Sequence, residues 1–183
     1  MISPGPAVHR ARETVVITGV GAVSPLGNSL EEIGANLLAG RSGVRDINPG
    51  PLCREARQFA AQVVDIPVPP PAACGMDAAE FAGLDRLTRI CLAPATAAIA
   101  DAGIADQCGD PSFGPRIGLV LGLGAEHLKA WELDFLAGGT RVFEARRDRV
   151  VARRIADAVK IGGPVVTVAA ACASSGYALA MAK

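Results

Sequence analysis

Apolar residues recur along this chain in short runs divided by turn-forming residues, and the runs switch between strand and helix periods. Thr14 to Thr18 is a β-branched run that predicts a short strand. Ser29 with Glu32 three residues on forms a capping-box pattern, Ile33, Leu37 and Leu38 supply one apolar face, and Gly40 stops the predicted helix. From Arg41 to Ala73 the chain is rich in turns, with a possible strand at Phe59 to Val64 and prolines at 67, 69, 70 and 71. That stretch reads as a long surface excursion, not a second domain. Asp85 can cap a long helix running towards Ala102, with Leu87, Ile90, Cys91, Ala95, Ala98 and Ile99 as its apolar stripe and Gly103 as its stop. Pro94 falls inside that helix and predicts a kink there.

Ile117 to Leu121 is continuously apolar, as in a strand covered on both faces. Gly122 and Gly124 end it. Arg141 to Lys160 has Val150, Val151, Ile155 and Val159 at helical spacing, and Val165, Val166 and Val168 follow the Gly163-Pro164 turn as a further strand. Tyr177 to Met181 is again helix-compatible. Strands and helices therefore alternate through the chain, which predicts an α/β fold with a mainly parallel sheet, right-handed crossovers and helices on both faces. No internal repeat is found.

Composition narrows the function classes. With 18 basic and 18 acidic side chains among 183 residues the formal net charge is zero, so nothing global calls for nucleic acid or an anionic membrane. Five cysteines are scattered without a C-x-x-C pair, which leaves zinc-ribbon and thioredoxin-like readings unsupported. The odd cysteine count, and a leader at residues 1–13 without a signal-peptide apolar core, predict reduced thiols in a cytoplasm. An apolar fraction of 50% with a mean hydropathy of +0.33 is high for a soluble domain, as expected if some apolar surface is meant for a partner.

The candidate chemistry lies in IGGPVVTVAAACASSGYALAM, residues 161–181, with Cys172 at the change from strand to helix. Its neighbours Ala169, Ala170, Ala171, Ala173, Ser174, Ser175 and Gly176 are all small, as a sharp turn requires. A thiol at a helix start sits beside free N–H groups and the positive end of the dipole, which favours thiolate and offers donors to an oxyanion. Ser174 or Ser175 is placed to satisfy donors at that helix start. Composition alone favours a small buried hydrophobe at Cys172 over a nucleophile, and the uncharged stretch 162–182 has the length of a membrane span. Pro164, the central glycine and serines, and the scarcity of leucine argue against a span.

Other signals are weaker. Gly19-Val20-Gly21 follows a predicted strand and precedes a helix, but Ser24 stands where a dinucleotide fingerprint needs its third glycine, so a glycine-rich turn is the better reading. His9 and His127 read as solvated or structural histidines. Arg146, Arg147, Arg149, Arg153 and Arg154 outnumber Glu144, Asp148 and Asp157 on the outer face of the 141–160 helix. That face reads as a partly paired surface, or as a dock for an acidic carrier protein or a phosphopantetheine phosphate.

GPVVTVAAACASSG resembles the active-site cysteine segment of the β-ketoacyl synthases, condensing enzymes of the thiolase superfamily. VVITGVGAVSPLG at 15–27 is similar to that family's opening strand and loop, and residues 84–103 and 116–124 are similar to its middle. The resemblance implies a thiolase-like αβαβα layered fold, of which residues 14–183 would form the first half, truncated before its last strands. It implies Cys172 as the acyl-accepting nucleophile, an acyl carrier protein as partner, no metal or redox cofactor, and homodimer or heterodimer formation. The reaction implied is acyl transfer to Cys172 and then decarboxylative condensation with malonyl carrier protein, in fatty-acid or polyketide synthesis. Two departures matter. Family members are about twice as long, and their two catalytic histidines lie in a His-Gly-Thr and a Gly-His segment that this sequence lacks, so a missing C-terminal half or a partner subunit would have to supply them. Ala170 stands where many members carry threonine or serine. The alternatives are a non-catalytic subunit like the chain-length factors, or an inactive truncated fragment.

Overall fold

The computed structural model describes residues 14–47, 58–124, 128–140 and 151–183. Its elements follow from local chemistry. Helix α1 (Leu30–Leu38) begins where the Ser29 hydroxyl accepts the Glu32 N–H at 3.1 Å. The Glu32 carboxylate reaches back to the N–H of Asn28 at 2.8 Å, one residue before the cap, so the expected box is closed one residue early. The apolar face of Ile33, Leu37 and Leu38 is not buried: Leu37 and Leu38 are exposed, and no residue of α1 is buried.

Strand β1 (Val44–Ile47) pairs antiparallel with β2 (Gln58–Ala61), Val44 opposite Ala61 and Ile47 opposite Gln58. The second of these strands was expected at Phe59 to Val64, but it starts one residue earlier and ends three residues earlier, and its partner was not expected. Pro71 occupies the first turn of α2 (Pro71–Cys74), where a missing N–H costs nothing. A complete capping box, Asp77 with Glu80, starts α3 (Ala78–Gly83).

Helix α4 (Arg86–Asp101) is capped as expected, the Asp85 carboxylate accepting the Thr88 N–H at 2.9 Å and the Thr88 hydroxyl at 2.6 Å. It runs through Pro94 and ends at Gly103, whose φ of +68° closes it in the left-handed region. Its buried stripe is not the apolar one. Thr88, Leu92, Ala93 and Thr96 are buried, while Cys91, Ala95 and Ile99 only flank the core. The two threonines go inside because their hydroxyls are satisfied locally, Thr88 on its cap and Thr96 on the carbonyl of Ala93 at 2.8 Å.

After α5 (Ala105–Cys108) the chain enters β3 (Leu119–Gly122), then α6 (Leu128–Leu136), α7 (Val151–Ala158), β4 (Val165–Val168) and α8 (Ser174–Ala182). Strands β3 and β4 pair in parallel, Leu119 beside Val165 and Gly122 beside Val168, and α7 and α8 both pack on this pair. The core gathers Cys74, Phe81, Leu92, Ala93, Cys108, Ile155, Ala156, Val159 and Ile161, so it lies where α2 to α5 meet α7. Ile155 and Val159 point inward as the periodicity predicted. The first half of the expected 141–160 helix, with Val150, Arg146, Arg147 and Arg149, lies outside the described residues, as do His9, His127 and Cys53.

The expected strand at Thr14 to Thr18 has no ladder partner among the described residues, and Val15, Val16 and Ile17 are exposed. The described sheets are therefore one parallel and one antiparallel pair, each of two strands. What anchors this segment is the glycine turn behind it. A Cβ on Gly21 would lie 2.0 Å from the Pro94 carbonyl oxygen, and one on Gly19 would lie 2.3 Å from that of Ala98. The Val20 N–H donates to Asp101 at 2.9 Å. These glycines are needed for contact with α4, where a dinucleotide reading would have placed a pyrophosphate.

Gly21→Ala is expected to destabilise the chain by about 1–3 kcal/mol in urea unfolding, because the methyl meets helix backbone that cannot rotate away. Asp85 gives a pH-dependent test. Burial raises its pKa, but the bonds from the Thr88 hydroxyl and amide and the charge of Arg154, 3.0 Å away, outweigh burial and hold the carboxyl below its ordinary value. The folded state thus binds this proton more weakly than the unfolded chain, and the stabilisation is present above the ordinary carboxylate range and lost as pH falls through the lowered value. Between about pH 5 and pH 2 the urea midpoint should fall further in the wild type than in Asp85→Asn, which keeps a capping oxygen but does not titrate.

Candidate active site

Strand β4 delivers the chain to a tight turn. Ala170 has φ −142° and ψ 42°, Ala171 has φ +48°, and a single 3-10 turn, Ala171–Ala173, leads into α8. A positive φ on a residue with a side chain costs about 1–2 kcal/mol and persists only where surrounding contacts enforce it. Here they do. The side chains of residues 169–173 are small enough for the turn to close, and Cys172 stands at its apex with its side chain exposed.

The turn is pinned from beneath by the end of β3. Gly122 approaches α8 so closely that a Cβ there would lie 2.7 Å from the Ser174 carbonyl oxygen and 2.9 Å from the Ser175 nitrogen. The Leu123 N–H donates to the Val168 carbonyl at 2.9 Å, extending the ladder to the strand ends. Ser174 is 3% exposed, and its hydroxyl accepts the Ala170 N–H at 2.9 Å and lies 2.9 Å from the Leu123 carbonyl oxygen and 2.7 Å from that of Ala171.

Neither serine plays the expected capping part. The residue before α8 is Ala173, without a side-chain cap bond, and Ser174 serves the turn that precedes the helix. The start of α8 thus has no side-chain cap, and the Ser174 N–H turns back to the Ala171 carbonyl. The signal for the role of Ser174 was its position two residues after the cysteine, which a capping rule alone misassigns.

The other described cysteines are of a different kind. Cys74 is buried with its thiol facing the carbonyls of Pro70 and Met76, Cys108 is buried with its thiol 3.5 Å from the Ile104 carbonyl, and Cys91 is half-buried. Burial pushes the Cys108 thiol up, away from the reactive thiolate. Cys172 is the exposed cysteine among the described residues. Among those residues no cluster of histidine, cysteine or carboxylate side chains is arranged for a metal ion, and no helix is long and apolar enough to cross a membrane.

This strand, strained turn and helix sit in a chain whose residues 12–183 match the model of the β-ketoacyl synthase N-terminal domain. The chain belongs to the β-ketoacyl synthase family. It is 33% identical over 113 residues to a 3-oxoacyl-[acyl-carrier-protein] synthase 2 of Coxiella burnetii, covering 62% of this chain and 26% of that one. It is 30% identical over 177 residues to an actinorhodin polyketide putative β-ketoacyl synthase 1 of Streptomyces coelicolor, covering 89% of this chain and 36% of that one. Its fold is similar to the ishigamide ketosynthase/chain length factor, with a TM-score of 0.62 and 27% identity over 91% of this chain and 43% of that one. The fold is thus thiolase-like α/β, and the chain spans less than half the length of these relatives.

Exposure alone predicts an ordering of thiol reactivity for this ketosynthase-family chain. Under native conditions iodoacetamide should label the Cys172 peptide at least about tenfold faster than the Cys74 and Cys108 peptides, and the difference should vanish in denaturant. Peptide-resolved mass spectrometry checks it.

Proposed function

We propose that the chain is the nucleophile-bearing part of a β-ketoacyl-(acyl carrier protein) synthase, residues 14–183 forming its N-terminal domain behind a short leader. The observation that carries this reading is an exposed Cys172 at the apex of a strained turn that leads directly into α8. In this reading the Cys172 sulfur attacks the carbonyl carbon of an acyl thioester on a carrier protein. The new C–S bond forms through a tetrahedral oxyanion held by backbone N–H groups, the carrier sulfur leaves, and it takes up the proton that the cysteine gave up. Malonyl carrier protein then loses carbon dioxide, and the resulting carbanion attacks the acyl carbonyl carbon, forming a C–C bond as the C–S bond breaks and Cys172 leaves as thiolate.

That second step needs donors for an enolate, the part that the resemblance gives to two histidines in motifs this sequence does not contain. Incubated with an acyl thioester, the chain should gain one acyl mass on the Cys172 peptide, and Cys172→Ala should gain none. Malonyl carrier protein should release little or no carbon dioxide with this chain alone. An acyl group found elsewhere, or release at wild-type ketosynthase rates, would sink the reading.

A second reading, a non-catalytic subunit of the chain-length-factor kind, is favoured by the likeness to the ishigamide ketosynthase/chain length factor. Retention of the cysteine supports the catalytic reading, and Cys172→Ala in a reconstituted complex separates the two: unchanged condensation would favour the non-catalytic subunit.

A further inference from the structure

Ala171 is held in its positive φ by one buried oxygen. The Ser174 hydroxyl accepts the N–H of Ala170 on one side of the strained residue and lies within bonding distance of the Ala171 carbonyl on the other. Its third neighbour, the carbonyl of Leu123, belongs to the chain leaving β3, so the turn is referenced to the sheet. With 3% exposure the hydroxyl has little access to water, and it gives the Ala170 N–H its acceptor and the Ala171 carbonyl a second contact beside the Ser174 N–H.

The consequence falls on the peptide between Ala171 and Cys172. In a trans peptide the C=O and N–H point in opposite directions. Both the N–H and the hydroxyl of Ser174 draw the Ala171 carbonyl oxygen inward, so the N–H of Cys172 is turned outward, towards the side on which the thiol is exposed. We propose that Ser174 is a positioning residue for acyl transfer, fixing this peptide plane so that the Cys172 N–H meets the oxyanion of the tetrahedral intermediate. This rests on Cys172 being the acyl acceptor. Ser174 itself touches no reacting atom.

The test compares two reactions of the same sulfur in the full chain. Transfer from an acyl thioester of N-acetylcysteamine passes through an oxyanion, whereas alkylation by iodoacetamide displaces iodide at a saturated carbon and does not. Ser174→Ala should slow acylation of Cys172 by about tenfold or more while alkylation stays within about threefold of the wild type. Ser174→Thr, which keeps the hydroxyl, should bring acylation back to within about threefold. Equal loss in both reactions, or no loss in acylation, overturns the proposal and leaves the acyl-acceptor reading intact. If the wild type is alkylated but takes no acyl group, the acyl-acceptor reading falls and the positioning role with it. Should the alanine variant fail to fold by circular dichroism, the threonine variant decides, since a folded, normally alkylated and slowly acylated Ser174→Thr contradicts the proposal.

Discussion

Where β3 ends, the backbone of Gly122 and the first turn of α8 touch with no side chain between them. A strand and a helix meet at that distance only if one partner has no Cβ, and the parallel register of β3 with β4 brings Gly122 level with Val168, the last residue before the turn. The turn is therefore short, because β4 must end and α8 must begin over the same residue of β3. Shortness forces the backbone of Ala171 out of its ordinary range. Cys172 owes its exposed place to this sequence of constraints and to no contact of its own thiol.

The same economy governs the buried polar groups. Thr88, Thr96 and Ser174 are the buried polar side chains among the described residues, and each hydroxyl bonds to a group within four residues of itself. The threonine hydroxyls, satisfied that locally, enter the interior without a long-range partner, while Ser174 also reaches the Leu123 carbonyl of the neighbouring strand end. Helices α4 and α7 pack against each other, and the Arg154–Asp85 pair joins them at 3.0 Å.

These local bonds also explain which parts of the fold were legible in the sequence. The Asp85 cap, the Gly103 stop, the β4 valines and the inward Ile155 and Val159 were all readable, because each depends on residues close in the chain. The inner face of α4 was not, since a pattern of apolar residues alone leaves out Thr88 and Thr96. Nor was the fate of Val15 to Ile17, whose β-branched side chains predict a strand but whose ladder requires a neighbour that local sequence does not name. At the site, the cysteine and its small neighbours were visible from composition, while the part of Ser174 depended on the distance between β3 and the turn, a tertiary quantity. The glycines at 19 and 21 were seen and their partner was not: they answer to the carbonyls of α4.

Ala171 has a further consequence. A glycine would adopt φ +48° without steric penalty, and the chain carries a methyl group there instead. Glycine would also widen the set of conformations open to the turn, both before folding and after it. With alanine the strained geometry has few neighbouring basins to wander into, so the thiol is presented by a spring with one rest position, and the residual strain is the cost of that narrowness.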